Sequence, residues 1–186
     1  MLAGSCLLSY GTAMGMERGA WDAATAAAWV RRRAPHTGPR ANSAWLLVSG
    51  RVEVLLWDWP AEVDGMLAIR QGRAHIGLNR SHPYGRRHFT FWHEIGHWLL
   101  HAGAGCGADE AREAEANAFA AQVLMPREWV LRLRGEGLDA RSLARAFGVT
   151  LAALERRLWE LRLRPQSRSG RPSRMLAHGM ERRHRG

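Results

Sequence analysis

The chain has 186 residues, 46% of them hydrophobic, with nine Trp, 27 Arg, no Lys and a formal charge of +10. This composition excludes a disordered chain, a collagen-like fibre and a disulfide-stapled miniprotein, and the length suits one domain with a small appendage. The charge is unevenly placed: residues 162–186 hold eight Arg against Glu181, leaving 19 Arg against 16 acidic residues in 1–161. The body is close to balanced, so a basic nucleic-acid footprint does not describe it.

Only Cys6 and Cys106 are present, which excludes a disulfide framework and points to a reducing compartment. No apolar run approaches the roughly 20 residues that span a bilayer, so a cytoplasmic protein with no membrane contact is expected. Residues 1–16 lack a basic start and read as a leader outside the fold, with Met14 and Met16 as alternative starts.

From residue 17 to 33, Trp21, Ala24, Ala28 and Trp29 share one stripe of an amphipathic helix that ends in Arg31, Arg32 and Arg33. Pro35 and Gly38-Pro39 break it. Four β-like runs follow at 44–49, 52–57, 65–70 and 74–79, with Ser49-Gly50 and Gln71-Gly72 spaced as hairpin turns. They predict a small antiparallel sheet, and residues 80–85 a loop. A helix is expected from Arg87 through His101, then a Gly-rich break at 102–108 that carries Cys106 as a spare thiol. A second helix should start from an Asp109 cap and end at Met125 before Pro126. Short helices are expected at 127–134, 139–147 and 151–163.

His93-Glu94-Ile95-Gly96-His97 is an HExxH motif. Spacing i, i+4 stacks the two imidazoles on one helix face, where they can share a tetrahedral zinc ion. Glu94 lies about 100° round the helix and suits a general base better than a ligand. Trp92, Ile95 and Leu99 mark a separate apolar face, which frees the His pair from core duty. A hydrolytic site needs one more protein ligand. Glu113 is preferred, on a stripe with Ala116, Asn117, Ala120 and Leu124; Glu115 and His101 are the alternatives. His101 lies about 12 Å along the axis from His93, so one ion cannot hold all three histidines on an unbroken helix. Asn117, at i+4 from Glu113, is placed to orient a ligand imidazole.

The segments RHFTFWHEIGHWLLH (87–101) and EAEANAFAAQVLMP (113–126) resemble the ImmA/IrrE metallo-endopeptidases, zinc peptidases of gluzincin type often encoded beside repressors. VDGMLAI (63–69), IGLN (76–79) and the Arg86-Arg87 approach to Phe89-Thr90 add to the likeness, which covers roughly residues 17–163. The resemblance implies that His93, His97 and Glu113 bind zinc, with manganese as an alternative, and that Glu94 is the general base. It also implies an edge strand over His75, Ile76, Gly77, Leu78 and Asn79 that pairs with an extended protein substrate. Tyr84, Arg86 and His101 are candidates for stabilising the oxyanion. Trp92 and Trp98 are bulkier than the family pattern suggests and should narrow the cleft.

Residues 141–158 fit a helix-turn-helix spacing through Ala144, Gly148 and Leu154, with Thr150 as the cap of the second helix. The would-be reading face offers Leu151, Ala152 and Ala153, which have no groups for base edges. Arg156 and Arg157 could reach phosphates, but a fold element holding a protein substrate is preferred. The tail 164–186 is Arg-, Ser- and Gly-rich and reads as disordered, with at most weak, salt-sensitive nucleic-acid contact.

The expectation is therefore an α+β fold: a leader (1–16), a zinc metallopeptidase domain (17–126), a helix-turn-helix-like segment (127–163) and a basic tail (164–186). Its substrate is expected to be a specific partner protein such as a helix-turn-helix repressor. The alternatives are a DNA-binding regulator and a toxin–antitoxin interaction module with a non-turnover metal site.

Overall fold

The structure, a computed structural model, describes residues 21–34, 38–101 and 109–163. The expected leader, the Gly-rich break with Cys106 and the basic tail lie outside the described residues. The chain folds as α1 (Ala23–Arg33), α2 (Ala44–Val48), β1 (Val52–Trp57), β2 (Gly65–Arg70), β3 (Arg73–Asn79), α3 (Tyr84–His101), α4 (Glu110–Leu124), α5 (Arg127–Gly135), α6 (Ala140–Phe147) and α7 (Leu151–Glu160). This is the α+β class expected.

Asp22 starts α1 by accepting the Thr25 amide at 2.7 Å. The helix buries Ala26, Ala27, Trp29 and Val30, and it packs along α4, where Arg31 donates to the Val123 carbonyl at 2.6 Å. Residues 44–49, expected as a strand, form α2 instead. The Asn42 side chain accepts the Ala44 amide at 2.9 Å, which starts a helical turn, and of α2 only Leu46 is buried. Ser49-Gly50 consequently joins a helix to a strand, and Gly50 takes φ +66°.

The sheet is mixed, not antiparallel throughout. Its order is β1-β3-β2, with β1 parallel to β3 and β2 antiparallel to it. The Gln71-Gly72 hairpin is present, both residues at positive φ as its tight turn requires. The long link 58–64 lets β3 slot between the two earlier strands. Buried Ala74, Ile76 and Leu78 drive that central placement, with their side chains on the core face of the sheet. His75 to Asn79 therefore cannot serve as a substrate-pairing edge, because β3 is bonded on both sides. The free edges belong to β1 and β2.

Each of those five residues has other work. Asn79 is fully buried, and its amide nitrogen donates to the carbonyls of Trp59, Pro60 and Val63 at 3.2, 2.9 and 2.8 Å. It pins the 58–64 link. Gly77 leaves room for the Trp59 ring, which would stand 2.5 Å from any added Cβ. His75 pairs with Glu53 at 2.9 Å, and Ile76 and Leu78 are core.

Helix α3 begins at Tyr84, three residues before the expected start, because the Pro83 carbonyl accepts the amides of Arg86 and Arg87 and so opens the first turn. Trp92 and Ile95 are fully buried beneath the sheet and α4. One hydrophobic cluster runs from α1 through α3 and α4 to Leu143, Phe147, Leu154 and Leu158 of the last helices. Thr150 caps α7 as expected, accepting the Ala153 amide at 3.2 Å. The α6–α7 turn sits on α3: His88 Nδ1 meets the Gly148 carbonyl at 3.0 Å, and Gly85 presses on the Val149 backbone. Burial holds the His88 imidazole below its ordinary range, so it stays neutral in that contact. Arg157 is buried and donates to the Met125 carbonyl at 3.0 Å. It is not available to phosphates; Arg156 is exposed.

Among the described residues no helix is long and apolar enough to cross a membrane.

Candidate metal centre

The HExxH turn of α3 and the first turns of α4 supply the site. Small residues bring the two helices together at Gly96 and Ala116, so the side chains that flank this contact meet. His93 and His97 lie one turn apart with their rings edge to face and their Nε2 atoms 3.0 Å from each other. Glu113 closes the triangle: one carboxylate oxygen lies 3.2 Å from His93 Nε2 and the other 3.1 Å from His97 Nε2. Ligand atoms of the three residues all lie within 4.8 Å of one another. Tetrahedral zinc bonds of 2.0–2.2 Å would set neighbouring ligand atoms about 3.3 Å apart, so this donor set fits such an ion. Of the three candidates for the last ligand, Glu113 joins the histidines, whereas Glu115 and His101 do not.

The donors are prepared for a cation. Asn117 Oδ1 lies 3.1 Å from His93 Nδ1 and accepts its proton, which leaves the Nε2 lone pair facing Glu113. Burial depresses the basicity of both imidazoles, and the charge of His93 adds to the effect at His97. Both are thereby kept neutral, as ligation requires.

Glu94 is 9% exposed. Burial, and then the negative charge of Glu113, push its carboxyl from the usual range up to about 7. The backbone of Gly65, at the start of β2, approaches so closely that an added Cβ would stand 2.5 Å from Thr90 Cγ2 and 3.5 Å from Glu94 Oε1. Residue 65 must be small for the strand to lie over the helix.

A cavity of about 650 Å³ opens over these groups, lined by Asp64, Gly65 and Met66 on one wall and by Phe89, Thr90, His93, Glu94, His97, Glu113 and Asn117 on the floor. The free edge of β2 thus borders the site. Neither Tyr84, Arg86 nor His101 lines the cavity. Tyr84 stacks on His88, ring centroids 5.2 Å apart, and faces a second cavity of about 550 Å³ with Leu47, Leu56 and Phe91. Arg86 is bound to Asp64, together with His82 at 2.9 Å. His101 contacts His97 at 3.2 Å and Glu115 at 2.8 Å. Trp92 and Trp98 are buried in the core and do not narrow the cleft.

The roles of Asn79 and Gly65 are not legible in the local sequence. Asn79 was read as a substrate contact, although it anchors the loop that delivers Asp64. Gly65 was passed over; its only local signal is a glycine opening an apolar strand. Glu115 is exposed, as its helical phase indicates, and its carboxylate nevertheless lies 2.8 Å from His101 Nε2.

A His-His-Glu set converging from two packed helices, with a buried carboxyl beside it and a strand edge above, is a site that could hold a metal ion. The chain belongs to the family of the IrrE N-terminal-like domain, a peptidase family whose model matches residues 60–159. That span includes the sheet edge, α3, α4 and the last two helices. Among solved structures, a Mycobacterium tuberculosis transcriptional regulator is similar in fold: 19% identity, a TM-score of 0.52, and coverage of 72% of this chain and 45% of that one. This chain spans less than half the length of that regulator. No curated protein matches it.

Proposed function

We propose that the chain is a zinc-dependent endopeptidase acting on a specific partner protein, such as a helix-turn-helix repressor, and so relieving repression. The observation that carries this reading is Glu94: a buried carboxyl held near neutrality beside a three-residue metal set. A structural zinc site has no use for such a group, whereas a general base does. The His-His-Glu donor set suits zinc, with manganese as the alternative ion.

Zinc bound there would supply Lewis acidity, activating a water and polarising the scissile carbonyl. Glu94 takes the proton of the attacking water and returns it to the leaving amine. Its burial beside the three donors raises the proton affinity of the metal-free carboxyl, which suits a group that accepts and returns a proton. Gly65 and Leu67 present backbone groups to the free edge of β2, since the Asn79 amide donates to the Asp64 carbonyl at 3.0 Å and fixes which residues face β3. An extended substrate can pair there, lying across the cavity floor. Tyr84 and Arg86 lie outside the cavity lining, so a bound ion would supply stabilisation of the oxyanion.

Co-expression with any helix-turn-helix repressor found encoded beside it tests this reading. A zinc-dependent cut is expected, and Glu94→Gln should abolish it while keeping the metal. Intact repressor with the wild-type protein would favour a non-catalytic regulator instead.

A further inference from the structure

Two side chains outside the ligand set form a line with it. His97 Nδ1 lies 3.2 Å from His101 Nδ1, and His101 Nε2 lies 2.8 Å from Glu115 Oε2. His101 sits one turn beyond His97 on α3 and its side chain is 11% exposed, while Glu115 reaches over from α4. Neither residue belongs to the metal set, and neither touches the cavity.

We infer that Glu115 and His101 are positioning residues that dictate which nitrogen of His97 faces the metal. The inference rests on the His93-His97-Glu113 site binding a cation. An ionised carboxylate can only accept, so the proton of a neutral His101 sits on Nε2, bonded to Glu115. The lone pair of His101 is then on Nδ1, where it accepts from His97 Nδ1–H. A neutral His97 with its proton on Nδ1 has its lone pair on Nε2, beside Glu113 and His93 Nε2. With both imidazoles neutral, each step leaves one choice. The two ligand imidazoles are thereby held by different devices: His93 by the amide of Asn117, His97 by a carboxylate acting through a second imidazole. Outer partners of metal-bound histidines act in this way in general, fixing the tautomer and the ring.

Replacing the terminal acceptor with a donor should reverse the line. Glu115→Lys offers N–H groups to His101 Nε2, moves the His101 proton to Nδ1 and sets it against the proton of His97. Glu115→Gln keeps an acceptor oxygen. The side chain of Glu115 is 59% exposed, so both variants should fold. Nitrogen-15 NMR of the intact protein reports which His101 nitrogen is protonated, and chelator competition gives the zinc affinity. The wild type should carry the His101 proton on Nε2. Glu115→Lys should move it to Nδ1 and weaken zinc binding about 10–100-fold. Glu115→Gln should resemble the wild type in both. A His101 proton on Nδ1 in the wild type would overturn the inference. So would zinc affinity lost in Glu115→Lys without a change of tautomer, because simple charge repulsion would then suffice. If the wild type failed to bind zinc, the metal-site reading would fall, and the His101 tautomer in the two variants would still decide the relay.

Discussion

Gly96 on α3 lies against Ala116 on α4 so closely that a Cβ built on Gly96 would stand 3.2 Å from Ala116 Cα and 3.0 Å from Phe119 Cδ1. This contact sets the gap that Glu113 must bridge to reach His93 and His97. Alanine at position 96 is a poor probe, since its helix propensity gain of about 1 kcal/mol opposes the crowding. Gly96→Val has a smaller offset and a larger clash. It should destabilise the fold by about 1–3 kcal/mol and lower zinc affinity, because the helices must part. Denaturant unfolding and chelator competition measure the two effects; unchanged affinity would mean that the helix gap does not control the ligand set.

The Glu94 carboxyl makes the metal-free protein sensitive to pH. Its folded value of about 7 lies above the usual 4.5, so ionisation is harder in the fold than in the unfolded chain. Its contribution to stability is fully present below pH 4.5 and is lost as pH rises through 7. The shift corresponds to roughly 3 kcal/mol at 1.36 kcal/mol per unit. Glu94→Gln should therefore stabilise the metal-free protein by up to roughly that amount at pH 8.5 and by much less at pH 5. Equal effects at both values, seen in urea melts with a chelator present, would show that Glu94 is not held neutral by burial.

The metal set was legible because it is local: His93 and His97 sit one turn apart, and small residues around Asn117 mark the face on which Glu113 arrives. Strand order was not legible. Gln71-Gly72 pairs β2 with β3, but no local signal says that β3 also docks on β1 across the 58–64 link. That long-range choice moved the free edge from His75–Asn79 to β2. The run 44–48 was ambiguous for a related reason: five apolar residues fit a strand or a helical turn, and the Asn42 side chain decided it. At Arg157, spacing gave a surface cation, whereas packing of α7 against the end of α4 buried it.

Arg157 offers a test of that last difference. Its guanidinium donates to the Met125 carbonyl and pairs with Glu160 at 3.2 Å, while Arg156 is exposed and pairs with the same carboxylate at 3.4 Å. Arg157→Met should cost about 1–3 kcal/mol of stability by removing the donor to Met125. Arg156→Ala should stay within about 0.5 kcal/mol of the wild type. Thermal melts compare the pair. Duplex-DNA affinity that fell in a folded Arg157→Met at fixed salt would contradict the structural role.

Gly65 sits between the free edge of β2 and the His-His-Glu set. Its backbone rests on α3 between Thr90 and Glu94, and an added methyl group would also come within 2.9 Å of the Gly77 carbonyl. Gly65→Ala must lift the start of β2 from the helix. The ligands on α3 and α4 are not attached to that strand, so zinc affinity should stay near the wild-type value. Cleavage should fall, because a peptide paired to a displaced edge would no longer lie over Glu94. A misplacement of about 1 Å at such a point costs on the order of 100-fold in rate. Steady-state cleavage and chelator competition on the same preparation distinguish the two effects. Full activity in Gly65→Ala would show that β2 does not hold the substrate.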